Sequence, residues 1–284
     1  MEASVAKGAR KQAGAVGRAR RRRWLDFKKP IPVPYVIALG IAVWVIFFGL
    51  WELANAAGWA SDLLLPTPQK VVAALYELFA HEKFLHDVLV SVYRILASFA
   101  AACAIAVPLG ILMGSFHAVE SFVNPLVSPW RYLPAPSLIP LLLMWLGSGE
   151  MQKLALLYLG VIWFLITLIM DHTKEVRTEL LQTAETLGGS RRQILTSVVI
   201  PAVLPNVVVA MRQMLAVSWT YLVIAEIVAA SDGIGAMMWH AKRFIHVDKI
   251  MAGILVIGIL GLLFDWLFRT GHRLLFPYLE EGQR

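Results

Sequence analysis

Long apolar runs recur along the chain, separated by short polar connections. A hydrocarbon core about 30 Å thick takes about 20 apolar residues in helix, so each run of that size is a candidate membrane span. Six are legible, over residues 33–53, 94–114, 138–146, 151–170, 206–229 and 250–268. The third is too short to cross alone, and Pro125, Pro129, Pro134 and Pro136 precede it. Non-helical backbone at that depth must be buried in protein or line a cavity. Between the first two runs, residues 66–89 have helical spacing, with Val71, Leu75, Leu78 and Phe79 on one face and Gln69, Lys70, Glu77 and Glu82 elsewhere. That pattern predicts an amphipathic helix at the membrane surface. The fold class is all-α, integral to the membrane, with about six transmembrane helices.

Composition agrees with the pattern. Of 284 residues, 58% are hydrophobic and only 16% charged, where soluble domains carry about 25% charged. The net charge of +7 is concentrated: ten of the 26 Lys and Arg residues fall in the first 30 positions, against Glu2 and Asp26. A basic run such as Arg20 to Arg23 is a possible nucleic-acid element. Its place directly before a long apolar run makes it a cationic flank that fixes orientation instead, so no nucleic-acid partner is expected. No small-residue cleavage site follows a short apolar core, so the first run stays as a span and is not a signal peptide. Residues 1–32 therefore read as a basic leader, 33–270 as the transmembrane domain and 271–284 as a tail. Counting Lys and Arg with the N-terminus inside, the leader, the connection 172–205 and the tail hold most of the positive charge. The positive-inside rule then places both termini and that connection in the cytoplasm.

Several chemistries lack their residues. The chain has no G-x-x-x-x-G-K-[ST] segment to cradle phosphates, no G-x-S-x-G turn and no H-E-x-x-H helix. His81, Glu82 and His86 imitate the last, but the histidines are five apart and leave the shared helix face. The single cysteine, Cys103, excludes an intrachain disulfide and a paired-thiolate metal site. The chain is expected to be no enzyme, to hold no metal and to carry no cofactor.

The connection at about 174–205 is the most informative segment. Helical spacing through Leu180, Leu181, Ala184 and Leu187 ends at Gly188-Gly189, where glycine takes the left-handed conformation that closes a helix. Ser190-Arg191-Arg192-Gln193 then has the spacing of a capping box, which starts a second short helix. Pro201 and Pro205 mark the approach to the next span. Taken by itself this is either an ordinary helical connection or a knob that something docks on.

The same residues resemble the signature loop of binding-protein-dependent ABC importer permeases: E-A-A, three residues, G, nine residues, I-x-L-P. Gln182-Thr183-Ala184 occupies the triplet, Gly188 the glycine, and Val198-Val199-Ile200-Pro201 the final element. Gln182 stands in place of the acid and Thr183 in place of the first alanine, while both spacings match. Residues 64–68, 108–114, 139–147 and 225–227 resemble the branch that serves nitrate, taurine, alkanesulfonates and bicarbonate. The resemblance covers roughly residues 35–278 and implies a type I ABC importer permease fold in a bacterial inner membrane. It further implies two ATPase subunits that grip the loop through Gln182, Thr183, Ala184, Gly188, Ser190 and Pro201, a second permease copy forming a homodimer, and an external substrate-binding protein. ATP and magnesium would belong to the ATPase partner.

Charges inside spans are costly, about 2.5–3.5 kcal/mol each on insertion scales, and each needs a reason. Arg212, Trp219 and Glu226 recur every seven residues and so share nearly one face of the fifth span. They are about 21 Å apart end to end, so Arg212 and Glu226 need separate partners. They are candidates for the translocation path, Arg212 as the cation that attracts an anion and Glu226 as a structural or gating group, or else for ties between helices. Arg94 and Asp265 lie nearer the interfaces and are expected to be structural. Ser98, Ala102, Ala106, Gly110 and Gly114 form a stripe of small residues suited to close helix packing. The function expected is the permease subunit of an ATP-driven importer for a small anion or organic acid. A self-sufficient secondary transporter or channel is the alternative.

Overall fold

The computed structural model describes residues 31–278 except 60 and 62, so residues 1–30 of the basic leader and 279–284 of the tail lie outside the described residues. The chain divides into two units, residues 1–54 and 55–284. The first holds all but the last two residues of α1, Val33–Ala56, an apolar helix of 24 residues. The second contains α2 (Pro68–His81), α3 (Phe84–Ser115), α4 (His117–Trp130), a 3-10 turn (Ala135–Leu138), α5 (Ile139–Leu146) and α6 (Glu150–Lys174). It continues through α7 (Thr178–Thr186), α8 (Arg191–Ile194), α9 (Ile200–Val228), α10 (Ile234–Arg243) and α11 (Val247–Leu275).

Among the described residues, five helices are long and apolar enough to cross a membrane: α1, α3, α6, the continuous 191–228 helix and α11. The third expected span resolves into a short apolar segment, Ala135–Leu146, which the prolines keep from extending.

Two boundaries differ from expectation for physical reasons. The second span begins at Phe84, ten residues before Arg94, and Arg94 is fully buried inside it. A charge ordinarily marks the end of a span, but this one is neutralised within the bundle. The amphipathic helix expected over 66–89 accordingly stops at His81, where Lys83 takes a left-handed conformation (φ 55°) and starts α3. It buries Val71, Ala74 and Leu78 and packs on α11, where Lys249 reaches Glu77 and Glu82.

The second difference lies at Pro201. The second loop helix and the fifth span form one helix, joined through a π turn at Leu195–Val199 in which the Ile200 amide donates to the Leu195 carbonyl. Proline lacks the N–H for an ordinary helical bond and its ring crowds the carbonyl four residues back. The wider π turn takes up that misfit where a tighter helix would break.

The core runs between α3, α6 and α9, through Ile95, Phe99, Leu165, Ile166, Val207 and Leu222. Lipid tails are as apolar as these side chains, so close packing rather than water exclusion holds the helices together. The small-residue stripe lies at that contact. Ala102 and Ala106 are buried, and a Cβ on Gly110 would stand 2.8 Å from the Ile166 carbonyl oxygen. One on Gly114 would stand 2.7 Å from the Met170 carbonyl oxygen and collide with Thr173.

Candidate functional site

Two built features stand at opposite ends of the second unit. The first is the knob formed by α7 and α8, none of whose residues is buried. Leu187, at the tip, is 82% exposed. At the end of α7 the Gly188 amide donates to the Glu185 carbonyl (2.9 Å) and the Gly189 amide to the Ala184 carbonyl (2.9 Å). These are the paired bonds of a Schellman closure, which needs a left-handed residue between them. Gly188 supplies it, with φ +81°.

The capping box follows at once. The Gln193 amide donates to Ser190 Oγ (3.4 Å) and the Ser190 amide to Gln193 Oε1 (2.9 Å), so two orphan helix donors are satisfied reciprocally. Thr183 Oγ1 donates to the Glu179 carbonyl, while Gln182 stays exposed. The knob is therefore fixed by local bonds, and its outward surface is free of contacts that shape it.

The second feature is an ionic cluster at the far end, where α3 and α6 begin and α9 ends; its Arg94, Lys153 and Glu226 are buried, while Glu150 and Asp232 stay partly exposed. Arg94, on α3, meets three carboxylates from different elements. Its Nε and Nη2 donate to the two oxygens of Glu150 (2.8 and 2.5 Å), a two-point fork. Its Nη1 donates to Glu226 Oε1 (2.8 Å) and to the Asp232 backbone carbonyl (2.9 Å), and Nη2 also holds the Asp232 carboxylate. Lys153, equally buried, reaches Ser231 Oγ (2.8 Å), Glu150 (3.2 Å) and Asp232 (3.3 Å).

Glu226 is fully enclosed. Besides Arg94 it accepts from Ser91 Oγ (2.7 Å) and from the Gly235 amide (2.7 Å). The start of α10 supplies that amide. Gly233 donates to Asp87 (2.9 Å) and Ile234 to Ser91 Oγ (3.0 Å), so α3 and α9 satisfy the orphan donors of α10. Gly233 is held at φ +100°, and a Cβ there would collide with Glu226 Oε1 and stand 2.7 Å from Arg94 Nη1.

Burial alone pushes the Asp232 carboxyl up. Hydrogen bonds from Arg94 and Ser231 and the charge of Arg94 outweigh it, holding the group at about 2. The cluster thus ties α3, α6, α9 and the turn before α10 into one charged knot.

The face expected along α9 divides between two environments. Arg212 is partly exposed and stands 3.5 Å from Asp265, which also accepts from Arg269 (2.6 Å). Trp219 is buried against Phe264, with ring centroids 6.0 Å apart. Both partners lie on α11, whereas Glu226 turns toward α3 and α10. By sequence alone Arg94 reads as an interfacial residue, and nothing local marks Glu150, Lys153 or Asp232 as its partners. A signal existed: Asp87, Ser91, Arg94 and Ser98 continue the small-residue stripe as a polar one on the same helix face. Among the described residues no group of His, Cys, Asp and Glu is arranged to hold a metal ion.

Comparison with known proteins places these features in a family context. Residues 106–277 match the family described as the binding-protein-dependent transport system inner membrane component. The chain is 31% identical over 257 residues to the taurine transport system permease protein TauC of Escherichia coli (strain K12), covering 89% of this chain and 94% of that protein. It is 28% identical to SsuC of Bacillus subtilis (strain 168), named for aliphatic sulfonates transport, over 88% and 91% of the two chains. It is 25% identical to the nitrate import permease protein NrtB of a Synechocystis strain, over 82% and 86%. Among solved structures, a chain of the MetNI methionine ABC transporter shares the fold, with a TM-score of 0.61 at 19% identity over 67% of this chain and 94% of that one.

Proposed function

Since the chain belongs to the family of inner membrane components of binding-protein-dependent transport systems, we infer that it is the permease through which a small oxyanion is imported. The coarser part of this follows from the family: a multi-pass, non-catalytic membrane subunit of an ABC importer, working with an ATPase and a binding protein. The substrate class is the finer part. It is supported by relatives named for taurine, aliphatic sulfonates and nitrate, to which we add bicarbonate. The termini and the knob face the cytoplasm in this reading, and the ionic cluster faces outward. Two copies of the chain pair across the membrane.

The observation that carries the mechanism is the exposed, locally fixed knob at the end remote from the ionic cluster. A two-residue closure and a capping box hold α7 and α8 in one shape, and Leu181 and Ile194 seat the knob against the bundle core, as a lever handle requires. Each ATPase subunit grips one knob, and the continuous 191–228 helix carries its displacement to Glu226 at the other end. Because Arg94 holds Glu226, Glu150 and Asp232 together, motion of α9 must either carry α3 and α6 with it or part this cluster. Arg212, Trp219 and Glu226 form the α9 side of the path, with Glu226 as its closing group.

The test is uptake by the complete transporter in proteoliposomes, with its cognate binding protein titrated against nitrate, taurine, alkanesulfonates and bicarbonate. ATP-driven import of one of these is expected, with Arg212→Met and Glu226→Gln lowering turnover more than assembly. Import driven by an ion gradient without the ATPase would replace this reading with a secondary transporter. Normal transport by both variants would remove Arg212 and Glu226 from the path.

A further inference from the structure

Arg131 follows α4 directly, in the turn that leads through Pro134 to the 3-10 segment. Its depth can be fixed through its neighbour. Trp130 stacks on Trp163, with ring centroids 5.4 Å apart and planes 19° from parallel. Trp163 is thirteen residues along the 25-residue α6 from Glu150, or about 20 Å at 1.5 Å per residue. The guanidinium of Arg131 therefore belongs to the middle third of the bundle, not to its ends.

The other cations set at membrane depth are neutralised. Arg94 and Lys153 share the ionic cluster, and Arg212 has Asp265. Arg131 has no carboxylate partner among the described residues, and its buried Nε finds no acceptor there. Its guanidinium carbon lies 5.7 Å from the centre of the Tyr132 ring, which is 79% exposed in the single chain. The indole Nε1 of Trp163 is a second buried donor without an acceptor. Two unsatisfied N–H donors and a permanent positive charge thus occur around one break in helical backbone. Such a break at this depth belongs where protein or a water-filled passage lines it. An uncompensated arginine inside the bilayer marks a pathway for the opposite charge.

We propose that Arg131 is the anion-binding group midway along the permeation route, holding the oxyanion of the passing substrate in its planar fork. Nitrate, sulfonate and bicarbonate all present two oxygens at a spacing that a guanidinium meets with two hydrogen bonds. Arg212 is less suited, because Asp265 already neutralises it and would repel an anion. The proposal rests on the anion-import reading given above, and its test does not depend on knowing the substrate.

In the complete transporter with Cys103→Ala, Tyr132→Cys places the sole thiol of this chain beside the guanidinium. Rates of modification during ATP turnover are compared for an anionic methanethiosulfonate bearing a sulfonate and a cationic one bearing trimethylammonium, each normalised to its rate with free mercaptoethanol. The normalised anion-to-cation ratio is expected to exceed one, to fall at least tenfold with Arg131→Gln, and to recover with Arg131→Lys. Nitrate and taurine, used as probes, are expected to slow the anionic reagent in the arginine form. A ratio unmoved by Arg131→Gln overturns the proposal, as does failure of both reagents to react. Should Arg131→Gln not assemble with the ATPase, a normalised ratio of one with arginine present overturns it equally. A transporter that hydrolyses ATP but imports none of the four anions would instead sink the substrate class, and the thiol ratio would still decide the role of Arg131.

Discussion

Removing the Arg94 side chain would leave Glu226 enclosed with only Ser91 and the Gly235 amide to meet its charge, and would leave Glu150 and Asp232 with Lys153 as their one shared cation. Breaking one partner out of a buried ionic group costs about 3–5 kcal/mol, because a charge stays behind uncompensated. Arg94→Met is therefore expected to lower the unfolding midpoint of the purified chain strongly. The double change Arg94→Met with Glu226→Gln should recover part of the loss, since it removes the orphaned charge as well. Equal stability of the single variant and the native chain would show that the cluster holds nothing together. Asp232 gives the same knot a pH signature. Its carboxyl lies at about 2 in the folded chain, below the ordinary value of about 3.9. Its stabilisation is thus fully present above about pH 4 and is lost as the pH falls toward 2. Thermal unfolding followed from pH 6 to pH 3 should show a falling midpoint, with a smaller fall in Asp232→Asn; an identical fall would place the acid sensitivity elsewhere.

Helices, unlike single residues, were largely legible in the amino-acid order, because a bilayer demands long apolar runs and the 3.6-residue period does the rest. The knob was legible down to individual bonds: a Gly-Gly pair and a Ser-x-x-Gln spacing act locally, and no distant residue was needed to foresee them. What escaped notice was decided between elements. Arg94 reads as a span boundary until three carboxylates from α6, α9 and the turn beyond it are brought to it. Pro201 reads as a break until the π turn before it absorbs the misfit. The short helices α4 and α10 escaped for similar reasons, one containing Pro125 and Pro129 and the other started by amides that Asp87, Ser91 and Glu226 satisfy. The local origin of the knob permits a graded test. Nothing lies within 4 Å of a Cβ at Gly188, so substitution there strains only the left-handed backbone, at about 1–2 kcal/mol. Asparagine tolerates that conformation and β-branched residues do not. Gly188→Asn should keep ATP-driven uptake near the native rate, whereas Gly188→Val should reduce it at least tenfold while the chain still inserts. Equal uptake by the two variants would separate the glycine closure from coupling.

Across the whole molecule, the two built features occupy opposite ends of α6, about 37 Å apart at 1.5 Å per residue. That separation is the thickness of a membrane, so one must face each side. The excess of Lys and Arg in the leader and in the connection carrying the knob is the ground for expecting the knob on the cytoplasmic side. Lys153, near the start of α6, is buried in the ionic cluster, so it adds no free positive charge to the connections at the opposite end. Orientation also bears on the chemistry at each end. A knob held by its own bonds suits an aqueous partner that must grip it repeatedly. A knot of two cations and three carboxylates suits an end that closes against ions and opens only when α9 moves. With Cys103 replaced by alanine, a single cysteine at Ser190 should be modified by a membrane-impermeant maleimide only in inside-out vesicles. One at Ser231, exposed beside the cluster, should react only in right-side-out cells. The reverse pattern would invert the chain, detach the knob from any cytoplasmic ATPase and remove the basis for reading it as the coupling element.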